Sequence, residues 1–465
     1  MTTKDLTGNN TSKMAALLVA TISSFLTPLM SSTVSIALPS IGKYFAMDAV
    51  ALSWVAMAVL LAAATFLVPF GRIADICGRK RIFVYGISLY SLAALVLTIS
   101  PSVAFLISFR VLQGIGAAMI FGTSMAILTS VFPPNERGRA LGINVAAVYV
   151  GLSLGPPLGG FLTQQFGWRS IFLVNLPLGA IALVAALWKL KGEWAEARGE
   201  KFDLIGSLIY GLSLVAIIYG FSELPDAIGI WLIITGAIGL SAFIWWETRV
   251  DSPVLNVRLF RNNTAFSLSN LSALINYSAT NAVTFLLSLY LQYIKGFTPQ
   301  RAGLILILQP VVMAVLSPLA GRLSDRIEPR ILASAGMAVT TAGLVMLIFV
   351  NNALGVSYIL LSLGILGLGF ALFSSPNSNA VMSSVDRKFY GVASGMLGTM
   401  RLTGQMLSLG IVTLLFALYM GRVQITPEYY PAFLQSTRTA FIICAALCFG
   451  GIFASLARGK TRINA

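Results

Sequence analysis

Two arginines, Arg110 and Arg401, lie inside long apolar stretches of the 465-residue chain. If such a stretch crosses a membrane, a charge near its centre costs at least about 2.5–3.5 kcal/mol on insertion scales, so the side chain must face protein or a wet cavity. Each guanidinium can brace the fold by binding backbone carbonyls and polar neighbours, or it can bind an anionic ligand or a coupling group. The sequence leaves both interpretations open.

Side chains that carry protons are missing from the middle of these stretches. The chain has no histidine, and its 16 acidic residues all fall in or beside the polar segments that separate the apolar stretches. Proton relays within membranes normally use Asp, Glu or His inside the helix bundle, and acid–base catalysis needs comparable groups. We therefore expect no enzyme. Cys77, Cys444 and Cys448 have no histidine to join them, so we also expect no metal site.

Uncharged polar side chains within the apolar stretches are the other candidates for binding a ligand. Amides and hydroxyls at such positions can bind a substrate, or they can simply join neighbouring helices. Tyr277 and Asn281 are four residues apart and share a helix face, whereas Asn276 and Asn281 do not. The candidates are Ser31, Ser32, Gln113, Asn144, Tyr149, Asn276, Tyr277, Asn281, Gln309, Asn377, Asn379 and Gln405.

The apolar stretches that hold these residues are long enough to be transmembrane helices. Hydrophobic residues make up 57% of the chain and charged residues 10%, against about 25% charged residues in soluble domains. A hydrocarbon core of about 30 Å needs roughly 20 apolar residues per helix. We predict an all-α polytopic membrane protein whose fourteen spans lie at 14–38, 50–70, 82–100, 103–127, 140–162, 170–190, 203–221, 228–247, 264–292, 302–320, 331–350, 356–378, 392–417 and 436–457.

The basic residues sort by side of the predicted membrane. If the N-terminus is cytoplasmic, 23 of the 31 Lys and Arg residues fall in cytoplasmic segments and 6 in outer segments, while Arg110 and Arg401 lie inside spans. This asymmetry predicts that both termini are cytoplasmic in a multi-pass protein of the cytoplasmic (inner) membrane. It also explains the net charge of +15 without a nucleic-acid partner, because basic loops bind the anionic leaflet of the bilayer.

A short motif occurs twice, 250 residues apart. Residues 71–75 read GRIAD after the second predicted span, and residues 321–325 read GRLSD after the tenth. The repeat predicts two related six-helix bundles, 1–190 and 261–465, separated by two inserted helices and their linkers at 191–260. Residues 189–201 are the only sizeable soluble linker in this prediction. Parallel halves of this kind usually hold the substrate between them, near the bilayer midplane.

The repeated loops have residues suited to conformational gating. Glycine permits a tight turn between two spans, and an Asp among arginines can make charge-assisted bonds that form in one conformation and break in another. The alternative is a plain basic loop that anchors the protein on the cytoplasmic side. The gating candidates in these loops are Gly71, Arg72, Asp75, Gly78, Arg79, Gly321, Arg322 and Asp325.

The fifth predicted span is rich in small residues and proline. Gly151, Gly155 and Gly159 recur every four residues and permit close helix packing. Pro156 removes a backbone donor and favours a bend. A bent, tightly packed helix between the two halves is a candidate hinge or seal; the alternative is ordinary helix packing.

Taken in order, five segments resemble the signature motifs of the major facilitator superfamily. They are 71–81 (GRIADICGRKR), 110–116 (RVLQGIG), 151–160 (GLSLGPPLGG), 167–179 (GWRSIFLVNLPLG) and 290–303 (YLQYIKGFTPQRAG). The third resembles the antiporter motif, and the last two are similar to the fourteen-span drug:proton antiporters of the EmrB/QacA type. This resemblance extends over essentially the whole chain. It implies the superfamily fold and a functional monomer that exports small amphipathic or aromatic compounds, driven by a proton gradient and no other cofactor.

One position departs from that family. The family usually has an acidic residue in its first span, within a stretch ending in Ala-Leu-Pro, and here Ser31 stands in its place. A serine cannot carry a proton at neutral pH, so a second hypothesis remains open. In it, the protein is an exchanger, uniporter or proton-coupled carrier of organic anions that uses Arg110 and Arg401. A non-transporting sensor or scaffold is disfavoured, because it would be expected to have a large soluble domain.

Overall fold

The computed structural model describes residues 12–133, 136–250, 252–255, 260, 263–324, 326–385 and 390–459, and every regular element within them is helical. The helices are α1 (Lys13–Phe45), α2 (Ala49–Cys77), α3 (Arg79–Leu97), α4 (Val103–Val131), α5 (Arg137–Phe166), α6 (Ser170–Leu173), α7 (Asn175–Lys189), α8 (Leu204–Glu223), α9 (Ala227–Glu247), α10 (Thr264–Thr280), α11 (Ala282–Leu289), α12 (Pro299–Leu306), α13 (Leu308–Ser324), α14 (Pro329–Ile348), α15 (Val356–Ser383), α16 (Tyr390–Tyr419) and α17 (Tyr430–Ala457).

Thirteen helical segments of the described chain are long and apolar enough to cross a membrane. In this count α6 with α7, and α12 with α13, each form one segment. A further apolar helical stretch consists of α10, α11 and the π-helical turn Tyr290–Ile294, and neither of its α-helices is long enough alone. The protein is therefore a multi-pass helical protein with thirteen to fourteen apolar crossings.

The helix break at Asn281 differs from the uninterrupted span predicted over 264–292. The backbone amide of Ala282 donates to Ser408 Oγ at 2.9 Å, and the Asn281 amide group donates to the carbonyl of Gln405 at 3.3 Å. Helix α16 thus takes the place of the hydrogen-bond partner that Ala282 would have four residues back. The pattern of apolar residues in the sequence does not reveal that one backbone hydrogen bond is replaced by a bond to another helix.

The turn after α2 begins later than the predicted span implies. Gly71 lies within the helix with open space beside it, and α2 continues to Cys77. Gly78 makes the turn instead, with φ at 119°, a conformation that glycine adopts readily. The predicted span ended at residue 70 because the residues after it are more polar, and α2 continues through them to Cys77.

The helices form a bundle with two ends. We call the end with the turn at Gly78 and residues 190–203 the basic face, and the end with residues 46–48 and 420–429 the opposite face. Helix α1 packs along α5, α2 along α4, and α14 along α15 and α17. The earlier and later helices meet where α2 contacts α16 and where α5 contacts α12 and α13. Helix α8 packs against both α2 and α16.

The glycines of α5 create two close helix contacts. A β-carbon on Gly159 would lie 2.8 Å from Thr33 Cα, and one on Gly155 would overlap Ser32 Oγ, so this glycine row packs on α1. On the α12 side, a β-carbon on Gly160 would lie 2.5 Å from the Pro299 carbonyl oxygen, and one on Gly303 would overlap the Pro156 carbonyl oxygen. The predicted glycine row therefore has a packing role, and its neighbour Gly160 joins the earlier and later helices.

We expect Gly303→Ala to destabilise the protein by about 1–3 kcal/mol, because the added methyl group meets backbone atoms that cannot move aside. Thermal unfolding in detergent measures the effect. Gly364→Ala on α15 is the matched control, because nothing lies within 4 Å of its β-carbon position. If both variants melt at the temperature of the unmodified protein, close packing of α5 on α12 does not contribute to stability.

Candidate functional site

A polar and aromatic cluster lies between the earlier and later helices at middle depth. Tyr149 on α5 and Ser374 on α15 share a hydrogen bond of 2.6 Å between their hydroxyls. The guanidinium of Arg401 on α16 lies 5.3 Å from the ring centre of Tyr277 on α10. Phe370 packs against the same tyrosine ring with centroids 5.4 Å apart. Tyr149, Tyr277 and Arg401 each lie about 16–20 Å from the start of their helices on the basic face.

The two intramembrane arginines have different surroundings. Arg110 is 2% exposed; its Nε donates to the Val55 carbonyl at 3.0 Å and its Nη1 to Gln113 Oε1 at 2.6 Å. It therefore braces α4 against α2. Arg401 is half-buried, and it makes no hydrogen bond or ion pair with any residue of the described chain. Its donors remain available to a ligand.

Ser31 and Ser32 of α1 have different environments. Ser32 is buried under Gly155, and its hydroxyl donates to the Pro28 carbonyl at 2.8 Å within the same helix. Ser31 is exposed although its neighbours Met30 and Ser32 are buried. It lies about 27 Å along α1 from Lys13. The position where the sequence suggested a missing acid is thus an open one.

Several other predicted binding residues are fully enclosed. Asn276 is inaccessible, and neither polar atom of its side chain has a partner among the described residues. Asn144 is 1% exposed with Oδ1 unpaired, and Gln309 is buried. Gln405 is half-buried, and its carbonyl accepts the bond from Asn281. Asn276, Asn144 and Gln309 are thus buried within the helix bundle, whereas Gln405 is one helical turn from Arg401 on α16.

Asn377 belongs to a buried network that the sequence did not indicate. Its Oδ1 accepts from Arg458 Nη1 at 2.8 Å, and its Nδ2 donates to the Ser269 carbonyl at 3.1 Å. Arg458 is 2% exposed and also donates to the Pro329 carbonyl at 2.8 Å. By sequence it was one of many arginines at the end of an apolar helix. Asn379 has a separate bond to Ser324 Oγ at 3.1 Å.

On the opposite face, hydrogen bonds join α1 to α11 and its π-helical turn. Ser288 Oγ donates to the Ser35 carbonyl at 2.6 Å, and Gln292 Nε2 donates to the Ile36 carbonyl at 2.9 Å. We call these two bonds the seal. A cavity of about 420 Å³ adjoins it on that face. Its lining comes from α1 and the loop after it, the π-helical turn and the start of α12, and the loop after α16 with the start of α17: Pro39, Ser40, Gly42, Lys43, Met47, Gln292, Tyr293, Phe297, Pro299, Gln424, Ile425 and Tyr430.

On the basic face, Arg79 is the centre of an ion-pair cluster. It is 6% exposed and forms salt bridges of 2.8 Å with Asp75 and with Glu196, while its Nη1 also donates to Ser130 Oγ at 2.5 Å. The Asp75–Arg79 contact joins two of the predicted gating residues. Glu196, by contrast, comes from residues 189–201, which the sequence assigned to a soluble linker.

Residues 190–203, which we call the acidic segment, pack on the turn after α2 along much of their length. Glu200 pairs with Arg72 at 2.5 Å, and Glu193 Oε1 accepts from the Lys80 amide at 2.7 Å. Two backbone bonds add to this, from the Arg79 amide to the Trp194 carbonyl and from the Ala197 amide to the Asp75 carbonyl. One feature of the sequence is consistent with this packing: three glutamates fall within eight residues of a chain that has only 16 acidic residues.

The second copy of the repeated motif is described at residues 321–324. Gly321 lies within α13, where a β-carbon would be 3.2 Å from Ser375 Oγ. Arg322 is exposed and has no hydrogen bond or ion pair to a residue that the structure describes. Asp325 lies outside the described residues. The clearest ion-pair cluster thus belongs to the first copy.

The helix α8 is attached at both ends. Near the basic face, Tyr210 Oη donates to the Ala64 carbonyl of α2 at 3.2 Å. On the opposite face, Glu223 forms a 2.7 Å salt bridge with Arg422 in the loop after α16. A single helix therefore contacts both the earlier and the later helices.

Comparison with known proteins identifies relatives of this chain. The family model described as Major Facilitator Superfamily matches residues 20–245 and 270–463. The chain is 33% identical over 421 residues to multidrug resistance protein Stp of Mycobacterium tuberculosis, covering 89% of this chain and 77% of that protein. It is 28% identical over 440 residues to riboflavin transporter RibZ of Clostridioides difficile, covering 95% and 96% of the two chains.

Two solved structures share the fold at low sequence identity. A bacterial homologue of the human lysosomal transporter Spinster, in an inward-facing and unoccupied conformation, is 17% identical with a TM-score of 0.65, covering 96% of this chain and 98% of its own. The human organic anion transporter MFSD10 is 14% identical with a TM-score of 0.66, covering 95% and 99%. From the extent of the family match, the chain belongs to the Major Facilitator Superfamily of membrane transporters.

Proposed function

We propose that the protein is a secondary active exporter of small amphipathic or aromatic compounds that works by alternating access. The observation that carries the proposal is the cluster of Tyr149, Tyr277, Phe370 and Arg401 between the earlier and later helices. The rings of Tyr149, Tyr277 and Phe370 are 5–8% exposed here, and a conformation that opens the cluster would present them as stacking surfaces to a flat ligand. The similarity to Stp supports export of drugs, as does 27% identity over 412 residues to the tetracenomycin C resistance and export protein of Streptomyces glaucescens.

In finer detail, we assign the chain to the fourteen-span drug:proton antiporters of the EmrB/QacA type. The fourteenth span in this proposal is the interrupted stretch from α10 to Ile294. The two bundles are 1–190 and 261–465, with 191–260 inserted between them. The distribution of basic residues supports cytoplasmic termini in the cytoplasmic membrane. The protein acts as a monomer on a small-molecule substrate in the lipid bilayer, with a proton gradient as its energy source.

A second candidate function is transport of organic anions. It is favoured by Arg401, whose guanidinium is half-buried at middle depth without an acidic partner among the described residues. A cationic drug at this place would meet a like charge, while a carboxylate could make a charge-assisted bond. Exchange, uniport or proton-coupled transport would all suit an anion.

We further propose that the seal and the Arg79 cluster are the two gates of alternating access. Opening of the opposite face would separate Ser35 from Ser288 and Ile36 from Gln292. On the basic face, the acidic segment holds the turn after α2 through Arg72 and Arg79. Both gates are built from bonds that can be exchanged for water at small cost.

In proteoliposomes with pH and voltage set separately, we expect a pH gradient to drive accumulation of an aromatic substrate. The measurement compares a lipophilic cation with an aromatic carboxylate of similar size. Failure of the pH gradient to drive either one rules out proton antiport. Strong transport of the cation alone rules out the organic-anion alternative.

We expect Arg401→Gln to reduce carboxylate transport about tenfold or more, because a charge-assisted bond contributes about 1.5–3 kcal/mol. Arg401→Lys keeps the charge and should restore part of the activity. Arg438→Gln, at an exposed arginine of α17 outside the candidate site and gates, is the control. Initial transport rates at several substrate concentrations provide the test. An unchanged rate in Arg401→Gln would remove this side chain from the substrate site.

We expect Glu196→Gln with Glu200→Gln to release the acidic segment, because each neutralised carboxylate loses an ion pair to Arg79 or Arg72. Pairs with an exposed partner contribute about 0.2–1 kcal/mol each, so the loss of both should make trypsin cleavage within the segment about two- to thirtyfold faster. Glu428→Gln, an exposed glutamate on the opposite face, is the control. Equal cleavage rates in all three proteins would show that these pairs do not hold the segment in place.

A further inference from the structure

Two buried carboxylates face each other where the acidic segment meets α8 and α9. Asp203 precedes α8 and is 9% exposed, and Glu247 ends α9 and is 3% exposed. A β-carbon on Gly206 would lie 2.8 Å from Glu247 Oε1 and would overlap Asp203 Oδ2. One oxygen of each carboxylate therefore occupies the space beside the same glycine.

Asp203 is the better hydrogen-bonded member of the pair. Its Oδ1 accepts from the Gly206 amide at 2.9 Å as the N-cap of α8, and its Oδ2 accepts from Trp246 Nε1 at 3.0 Å. Both oxygens thus have donors, and the partial positive charge at the start of a helix stabilises an anion.

The surroundings of Glu247 disfavour its charged form. Its Oε2 accepts from the Leu255 amide at 2.8 Å, but Oε1 is buried and has no hydrogen-bond partner among the described residues. An ionised carboxylate can only accept hydrogen bonds, so Oε1 would face Asp203 as a second, unpaired negative charge. The end of a helix, where Glu247 lies, adds partial negative charge. Protonation of Oε1 removes this conflict.

Neither carboxylate forms an ion pair with a residue in the described ranges. Three charged residues of the neighbouring elements have other partners: Arg249 stacks on the Trp245 ring, Glu200 bonds Arg72 and Ser252, and Asp75 of α2 bonds Arg79. Lys201 is exposed. Glu223 lies at the far end of α8, and Arg401 of α16 lies at middle depth. Asp251 and Arg258 lie outside the described residues.

We propose that Asp203 and Glu247 form a proton-binding site, in which Glu247 Oε1 carries the proton and donates it in a hydrogen bond to Asp203 Oδ2. The site lies on the basic face and joins the acidic segment to α8 and α9. When the proton leaves, two negative charges oppose each other in a buried place, and this junction weakens. The site rests on the proposed function and extends it, because a proton-driven exporter needs a proton-binding group and the predicted spans have none at mid-depth.

The test is thermal unfolding of the full-length protein in detergent between pH 5 and pH 9. Because the folded state holds a proton that the unfolded chain releases, we expect the unfolding temperature to fall by about 3–6 °C as pH rises. Glu247→Gln imitates the protonated side chain, so it should fold and lose most of this dependence. Asp226→Asn, at an exposed acid that precedes α9, should retain it. Infrared spectra of the unmodified protein should contain a protonated carboxyl band that is missing in Glu247→Gln.

Three outcomes would overturn the proposal. The first is a Glu247→Gln protein with the full pH dependence of the unmodified protein. The second is an infrared band that persists in that variant, which would place the proton elsewhere. The third is a rise in unfolding temperature on adding millimolar calcium or magnesium that Glu247→Gln abolishes, which would make the pair a cation site. If Glu247→Gln does not fold, the infrared band of the unmodified protein at neutral pH decides, and its absence counts against the site.

Discussion

The bonds from Arg110 to the Val55 carbonyl and to Gln113 illustrate the constraint on which this protein depends: a charge taken out of water must find hydrogen-bond partners in the protein. Arg458 meets most of the same demand through Asn377, Ser269 and Pro329, while its buried Nε has no partner among the described residues. Arg401 and Glu247 do not meet it fully. In each case the unmet part points to something that arrives from outside the chain, a ligand for the arginine and a proton for the glutamate.

Much of the helical architecture follows from the sequence, because an apolar run of about 20 residues has few alternatives to a membrane helix. The contact between Asp75 and Arg79 also follows, since the two residues are four apart near one turn. The packing of the acidic segment could not be predicted, because Glu196 and Arg79 are brought together by folding over 117 residues of chain. The break at Asn281 depends on Ser408, which is equally remote.

Among the candidate binding residues, the sequence named Tyr149, Tyr277 and Arg401, which lie at one depth in the bundle. It could not separate them from Gln113 or Asn377, because a polar residue in an apolar helix looks the same whether it binds a ligand or another helix. Partners decide between these roles. Both polar atoms of the Asn377 amide are bonded within the protein, whereas Gln113 Oε1 accepts from Arg110 and its Nε2 is buried without a partner among the described residues.

The exchange of one backbone bond at Asn281 divides a long helix into two pieces that differ in what they hold. The lower piece bears Tyr277, and the upper piece and its π-helical turn bear Ser288 and Gln292 of the seal. A helix resists bending mainly through its continuous ladder of backbone bonds, and here one rung is attached to a neighbouring helix instead. The helix should therefore bend more easily at this point. Under the proposed alternating access, the upper piece would tilt away from α1 while Tyr277 stays beside Arg401, so that release at one end need not disturb the proposed substrate site.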